Sequence, residues 1–193
     1  MRECRWWLVL VFVASLAACR ESSPRVASQN TVVDTVQEAR QWARAIDSVA
    51  RSAQPKDFSY PSRSTEGGEG HIYHLADNSV RIDVNDFGEI GRHAQRFYAR
   101  DSVLRLVVRS DERYDSPLSG VVIRTSVDSV WFDGGSAIRW VDTAQTVRVR
   151  PDSGLAAHGA RVFSEFNWAM RMARTNAQPS DSTIAKKSDK KKT

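Results

Sequence analysis

Cysteine is almost missing from this 193-residue chain: Cys4 and Cys19 are the only two, both near the start. No disulfide can staple the rest, so an apolar core has to hold the fold. Lysine is nearly as scarce in the body, where Lys56 stands alone before residue 186 and arginine carries the positive charge. No apolar run approaches the roughly 20 residues of a membrane-crossing helix. The longest, residues 6–18, has thirteen. The chain also lacks Gly-x-Ser-x-Gly, His-Glu-x-x-His, Cys-x-x-Cys and any Gly-Lys-Ser/Thr after a glycine-rich loop. It therefore carries none of the common short signatures of nucleophilic, zinc or phosphate chemistry.

The net charge of +5 is unevenly spread. The first eighteen residues carry one positive charge, the last fifteen carry three, and the body between them carries one. A nearly neutral body has no clustered basic footprint for nucleic acid, and no nucleic-acid partner is expected.

Arg2 and Arg5 precede the apolar run, which closes in small residues, the layout of an export signal. The run ends in Leu16-Ala17-Ala18-Cys19, which resembles the lipobox of bacterial lipoprotein precursors at all four positions. The resemblance implies that Leu16, Ala17 and Ala18 are read by the processing machinery and that cleavage falls before Cys19. It also implies a lipid on the Cys19 sulfur and acylation of the new N-terminus. Arg20, rather than aspartate, follows the cysteine. In a Gram-negative cell that implies the outer membrane, facing the periplasm; in a single-membrane cell, the outer face of the cytoplasmic membrane.

Removal of residues 1–18 leaves 175, enough for one domain with a real core. Residues 19–30 are polar and read as the lipidated cysteine and its tether. From 31 to 53 apolar residues recur at spacings of three and four (Val32, Val36, Ala39, Ala43, Ile46, Ala50), predicting an amphipathic helix stopped by Pro55. Residues 54–70 read as a glycine-containing loop. From 71 to 149 the period becomes two, with strands expected near 71–76, 79–85, 92–99, 103–109, 120–132 and 137–142, and a seventh near 145–150. A second amphipathic helix covers 154–174, and 176–193 reads as a disordered, lysine-rich tail. The expected fold class is α+β: one domain over 31–175, an antiparallel meander of about six strands, with both helices packed on one sheet face.

Three hairpins share a pattern of apolar residues, a tight turn, then apolar–Arg–apolar, which singles out Arg81, Arg105 and Arg139. On an outward sheet face these arginines read first as an ordinary solvated surface, with an anion-binding stripe as the alternative. Trp168 and Met172 fall on the side of the second helix away from its main apolar stripe and make a candidate partner patch, or equally mark a helix buried on two sides by a loop. The lysine tail reads first as a solubilising end, with contact to anionic headgroups or envelope polymers as the alternative.

His71 and His74, three apart on a strand, point to opposite faces, and His93 and His158 are isolated, so no metal site is expected. The stretch 83–88 begins like a calcium loop and fails at Phe87 and at Ala94, where acidic or amide ligands are needed. No cofactor is expected. The expected function is a lipid-anchored cell-envelope protein, held in the membrane through Cys19, that binds or scaffolds an envelope protein or anionic polymer. Two alternatives stay open. An apolar-ligand carrier needs a cavity between sheet and helices, and a small hydrolase needs His74, His93 or His158 in a cleft beside Ser or Asp.

Overall fold

A computed structural model describes residues 24–60 and 66–175. The signal, the lipobox with Cys19, and the lysine tail lie outside the described residues. The element order is α1 (Pro24–Ala50), β1 (Lys56–Tyr60), β2 (Gly68–His74), β3 (Ser79–Gly88), β4 (Gly91–Arg100), β5 (Val103–Tyr114), β6 (Val122–Asp133), β7 (Ser136–Val141), β8 (Val147–Val149) and α2 (Ser153–Thr175). The fold is α+β, as expected. Its sheet has eight strands rather than about six, all antiparallel and in chain order. Helix α1 begins at Pro24, so the later part of the expected tether is helical.

The three arginine-bearing hairpins have two-residue turns with positive φ at both central positions: Asp77-Asn78, Asp101-Ser102 and Gly134-Gly135. This is the turn whose twist matches that of the flanking strands. Two of these hairpins contain a bulge. Tyr98 pairs with Leu106 and Ala99 with Leu104, leaving Arg105 as the extra residue. Trp131 pairs with Arg139 and Phe132 with Ala137, leaving Ile138 as the extra residue. Each bulge moves the alternation of faces by one position.

The helices lie on opposite faces, not together on one. Phe97 and Tyr98 are neighbours on β4 and so point to opposite sides. Phe97 belongs to a core with Ile82, Val84, Val107, Val130 and Phe132 beneath Val162, Phe166 and Ala169 of α2. Tyr98 belongs to a second core with Leu106, Trp131 and Ile138 beneath Val36, Ala43 and Ile46 of α1. Consecutive buried residues such as 97–99 and 130–132 follow from covering both faces.

The packing is tight at close approaches. A Cβ placed on Gly159 would fall well inside contact distance of the Ala137 Cβ, so α2 rides directly on β7. The rings of Phe58 and Tyr60 lie over Gly70 and Gly68 of β2, where any side chain would collide with them. Helix α2 is N-capped by Asp152: the Leu155 amide donates to Asp152 Oδ1 at 2.7 Å, and the Ala156 amide makes the first helical bond to the Asp152 carbonyl at 3.0 Å.

Candidate functional site

Arg81, Arg105 and Arg139 do share one sheet face, but it is the face that α1 covers. Arg81 stands in a row with Tyr73 and Tyr98, and Arg139 in the same row beyond Leu106 and Trp131. The bulge turns Arg105 to that side as well, where it meets Trp42 of α1 across a small cavity.

Arg81 is not available to a ligand. It is 8% exposed, lies over the Tyr73 ring, and spends its donors on neighbouring carboxylates. Its Nε donates to Asp83 Oδ1 at 2.9 Å, one terminal nitrogen donates to Asp83 Oδ2, and the other donates to Asp47 Oδ1 at 3.2 Å. Arg96 Nε donates to Asp83 Oδ1 at 3.1 Å, and the Tyr98 hydroxyl donates to Asp47 Oδ1 at 2.8 Å. Two arginines and two aspartates thus neutralise one another and tie α1 to β3 and β4. Burial, aided by the bond to Asp47 and opposed by Arg96, pushes the Tyr98 hydroxyl up to about 12.

Arg105 and Arg139 differ from Arg81. Arg139 and Arg40 of α1 both approach the ring of Trp131, at 5.8 and 4.9 Å from its centroid. Burial lowers the Arg139 pKa, and repulsion from Arg40 lowers it further. Arg105 reaches only Asp133, at 3.7 Å. Across its turn, Arg100 seats its guanidinium 5.2 Å from the Trp42 centroid and reaches Asp77 at 3.9 Å. Among the described residues, four N–H donors on or near α1 are buried without an acceptor, Trp42 Nε1, Arg100 Nε, Trp131 Nε1 and Arg139 Nε, and Arg92 Nε is a fifth farther along this sheet face, beside Glu112. Native interiors leave few such donors, and each calls for an explanation. Helix α1 separates the first four into two spots, Trp131 with Arg40 and Arg139 on one flank, Trp42 with Arg100 and Arg105 on the other.

The opposite face holds a second charged group. Asp128, 6% exposed, accepts from Arg109 Nε at 2.8 Å, from a terminal nitrogen of Arg109, and from Trp140 Nε1 at 3.4 Å. His158 stacks on Trp140 with 3.9 Å between centroids and is 5% exposed. Burial lowers its pKa to about 4, helped by Arg109 and Arg161 and opposed by Asp128. The imidazole is therefore neutral at pH 7, with one acceptor nitrogen. Arg161 lies 2.6 Å from Nδ1 and can only donate, so Nδ1 accepts and Nε2 carries the proton, 3.8 Å from Asp128 Oδ2. The 3.3 Å approach of Arg109 to Nε2 is then a contact between two donors. Both nitrogens are engaged, and His158 has no lone pair to offer as a base.

The other histidines stay apart. His71 pairs with Asp57 at 2.7 Å on β1, and His93 with Asp111 at 2.6 Å on β5. Ser126 is in register with Asp111, so the carboxylate lies between serine and imidazole, the reverse of the order that activates a serine. Among the described residues no three His, Cys, Asp or Glu side chains gather as a metal set. The 83–88 stretch is strand, with Asp83 committed to the two arginines.

Trp168 and Met172 do not form an exposed patch. Both are half-buried against the α2-side core, and Trp168 meets Tyr60 edge-on with 4.8 Å between centroids. Three sites were not legible as such in the sequence: Trp42 with Arg100, Arg40 beside Trp131, and Asp128 with Arg109. The bulges that turn Arg105 and Ile138 toward α1 have no distinct residue signature. Comparison with known proteins finds no matching family model, no matching curated protein and no matching solved structure.

Proposed function

We propose that the chain is a lipid-anchored cell-envelope protein that acts by binding or scaffolding, tethered through Cys19 and, in a Gram-negative cell, facing the periplasm from the outer membrane. The observation that carries this reading is the segment Leu16-Ala17-Ala18-Cys19 closing a thirteen-residue apolar run after two arginines. No helix among the described residues is long and apolar enough to cross a membrane.

Binding is favoured over catalysis by what the side chains are engaged in. His158 is locked in an internal network, Ser126 sits on the wrong side of Asp111, and the aspartates beside Arg81 and Arg109 neutralise arginines. A groove of about 600 Å³ runs along the start of α2 and is lined by Ser136, Ala137, Arg150, Ser153 and Gly159 at the surface. It is not an apolar chamber between layers, and Gly159 against Ala137 leaves none between α2 and β7. That weighs against a carrier. The partner classes are an envelope protein or an anionic polymer, and Arg139 beside Arg40, with Arg105 held by a single carboxylate at 3.7 Å, favours an anionic group. Crosslinking in intact cells followed by capture tests this. A reproducible partner lost in an Arg105→Gln, Arg139→Gln double variant is expected, and no partner above background in the unaltered protein would count against it.

A further inference from the structure

We propose that the cavity between α1 and the β4–β5 turn is a binding site for a small oxyanion of the phosphate class. This deepens the binding reading above and does not depend on the lipid anchor. The cavity is about 180 Å³ and is lined by Thr35, Glu38, Ala39 and Trp42 from α1, and by Arg100 and Arg105 from either side of the two-residue turn Asp101-Ser102. It is smaller than the roughly 300–1,000 Å³ of organic-ligand sites, which suits an inorganic-sized anion or a single headgroup phosphate.

Three independent features point to an anion. The first is charge: two guanidiniums converge on one small space, and their nearest carboxylates, Asp133 and Asp77, stand off at 3.7 and 3.9 Å. The second is unmet donor capacity. Trp42 Nε1 and Arg100 Nε belong to cavity residues and are buried without an acceptor. Such donors are costly to leave unpaired; they lie behind the cavity wall, and a small turn of either side chain toward the cavity would offer them the lone pairs of an oxyanion. The third is preorganisation. Arg100 is held over the Trp42 ring, and Arg105 is the extra residue of the β5 bulge, the device by which strands re-aim a side chain. Glu38, exposed on the same wall, opposes an anion and so supplies a variant expected to act in the reverse direction.

Phosphate chemistry in this location has two sources, a soluble phosphate or a lipid headgroup. Five Cα-to-Cα steps lead from Cys19 to Pro24, a reach of at most about 18 Å, and eleven more helical residues bring the chain to Thr35, about 16 Å along the axis. An anchored molecule thus keeps the cavity within about 34 Å of its own membrane.

The test is calorimetric titration of the full-length protein in detergent, at constant ionic strength, with inorganic phosphate and separately with short-chain phosphatidic acid. One-to-one saturable phosphate binding is expected, with a dissociation constant of about 1 mM, the affinity that two charge-assisted contacts supply. Arg100→Gln and Arg105→Gln are each expected to weaken it about tenfold or more, Trp42→Phe to weaken it less, and Glu38→Gln to tighten it. Tighter binding of the short-chain lipid assigns the site to a headgroup, and equal binding assigns it to soluble phosphate; both outcomes support an oxyanion site. Glu38→Gln lies on an exposed helix surface and keeps the test decisive should an arginine variant fail to fold. No saturable binding by the unaltered protein, or unchanged binding in both the arginine variants and Glu38→Gln, would overturn the proposal.

Discussion

Asp128→Ala should cost this fold about 3–5 kcal/mol, the penalty of removing one partner from a buried ion pair. The magnitude follows from what is stranded. Asp128 takes both arms of Arg109 and the Trp140 indole N–H, and faces the protonated Nε2 of His158. With the carboxylate gone, Arg109 keeps only Glu165 at 3.9 Å, in a place where its side chain is 15% exposed. Water has little access to replace the lost acceptor. For a domain of this size each kcal/mol moves the midpoint of thermal unfolding by about 2–4 °C, so a fall of about 6–20 °C is expected. Circular dichroism melts and urea titrations of the two proteins measure it. The double replacement Asp128→Leu with Arg109→Leu should recover most of the loss, since apolar residues of similar volume often match a buried pair. A single-variant loss below about 1 kcal/mol, the range of exposed pairs, would refute the reasoning by showing that this corner is wet.

Acid should weaken the fold through His158. Its native pKa lies near 4 and its ordinary value is 6.5, so between those values the unfolded chain binds a proton that the native imidazole refuses. This contribution is fully present above about pH 6.5 and is lost as pH falls toward 4. Urea midpoints at pH 7 and pH 5 should therefore differ less in His158→Gln than in the unaltered protein, and equal pH dependence would contradict the buried, neutral assignment. Gly159→Ala should destabilise despite the better helix propensity of alanine, because the new Cβ collides with Ala137. Adding Ala137→Gly should restore part of the loss, and a stabilised single variant would show that α2 does not ride directly on β7.

The helices were legible because each has a long stripe at helical spacing and a clear stop or cap: Val36, Ala43, Ile46 and Ala50 before Pro55, and Leu155, Val162, Phe166 and Ala169 after Asp152. The hairpins were legible because Asp77-Asn78 and Gly134-Gly135 tolerate the positive φ that their turns require. Strand β1 was missed. Lys56-Asp57-Phe58-Ser59-Tyr60 alternates, but it is only five residues long and follows a proline in a stretch that reads as loop.

The larger error was the placing of both helices on one face. Strict alternation puts Leu104 with Leu106, and Ile138 with Trp140, on one side. The bulges at Arg105 and Ile138 separate them: Leu104 and Trp140 lie toward α2, Leu106 and Ile138 toward α1. The runs Phe97-Tyr98-Ala99 and Val130-Trp131-Phe132 held the clue, since three consecutive apolar residues have no reason to occur in a sheet with one wet face. The same shift explains the arginines. Their shared face was readable from the hairpin pattern, whereas the helix above it was not. Arg81 consequently became an internal ion-pair member through Asp47 of α1.

The central claim, an envelope protein held by a lipid on one sulfur, is tested most directly by fractionating cells that express the unaltered chain or Cys19→Ala, with intact mass determination of the product. The account predicts a membrane-bound protein that begins at Cys19 and carries the added mass of its acyl groups, and a Cys19→Ala protein that is neither lipidated nor cut at that bond. A Cys19→Ala protein that still partitions with membranes after normal cleavage would contradict it.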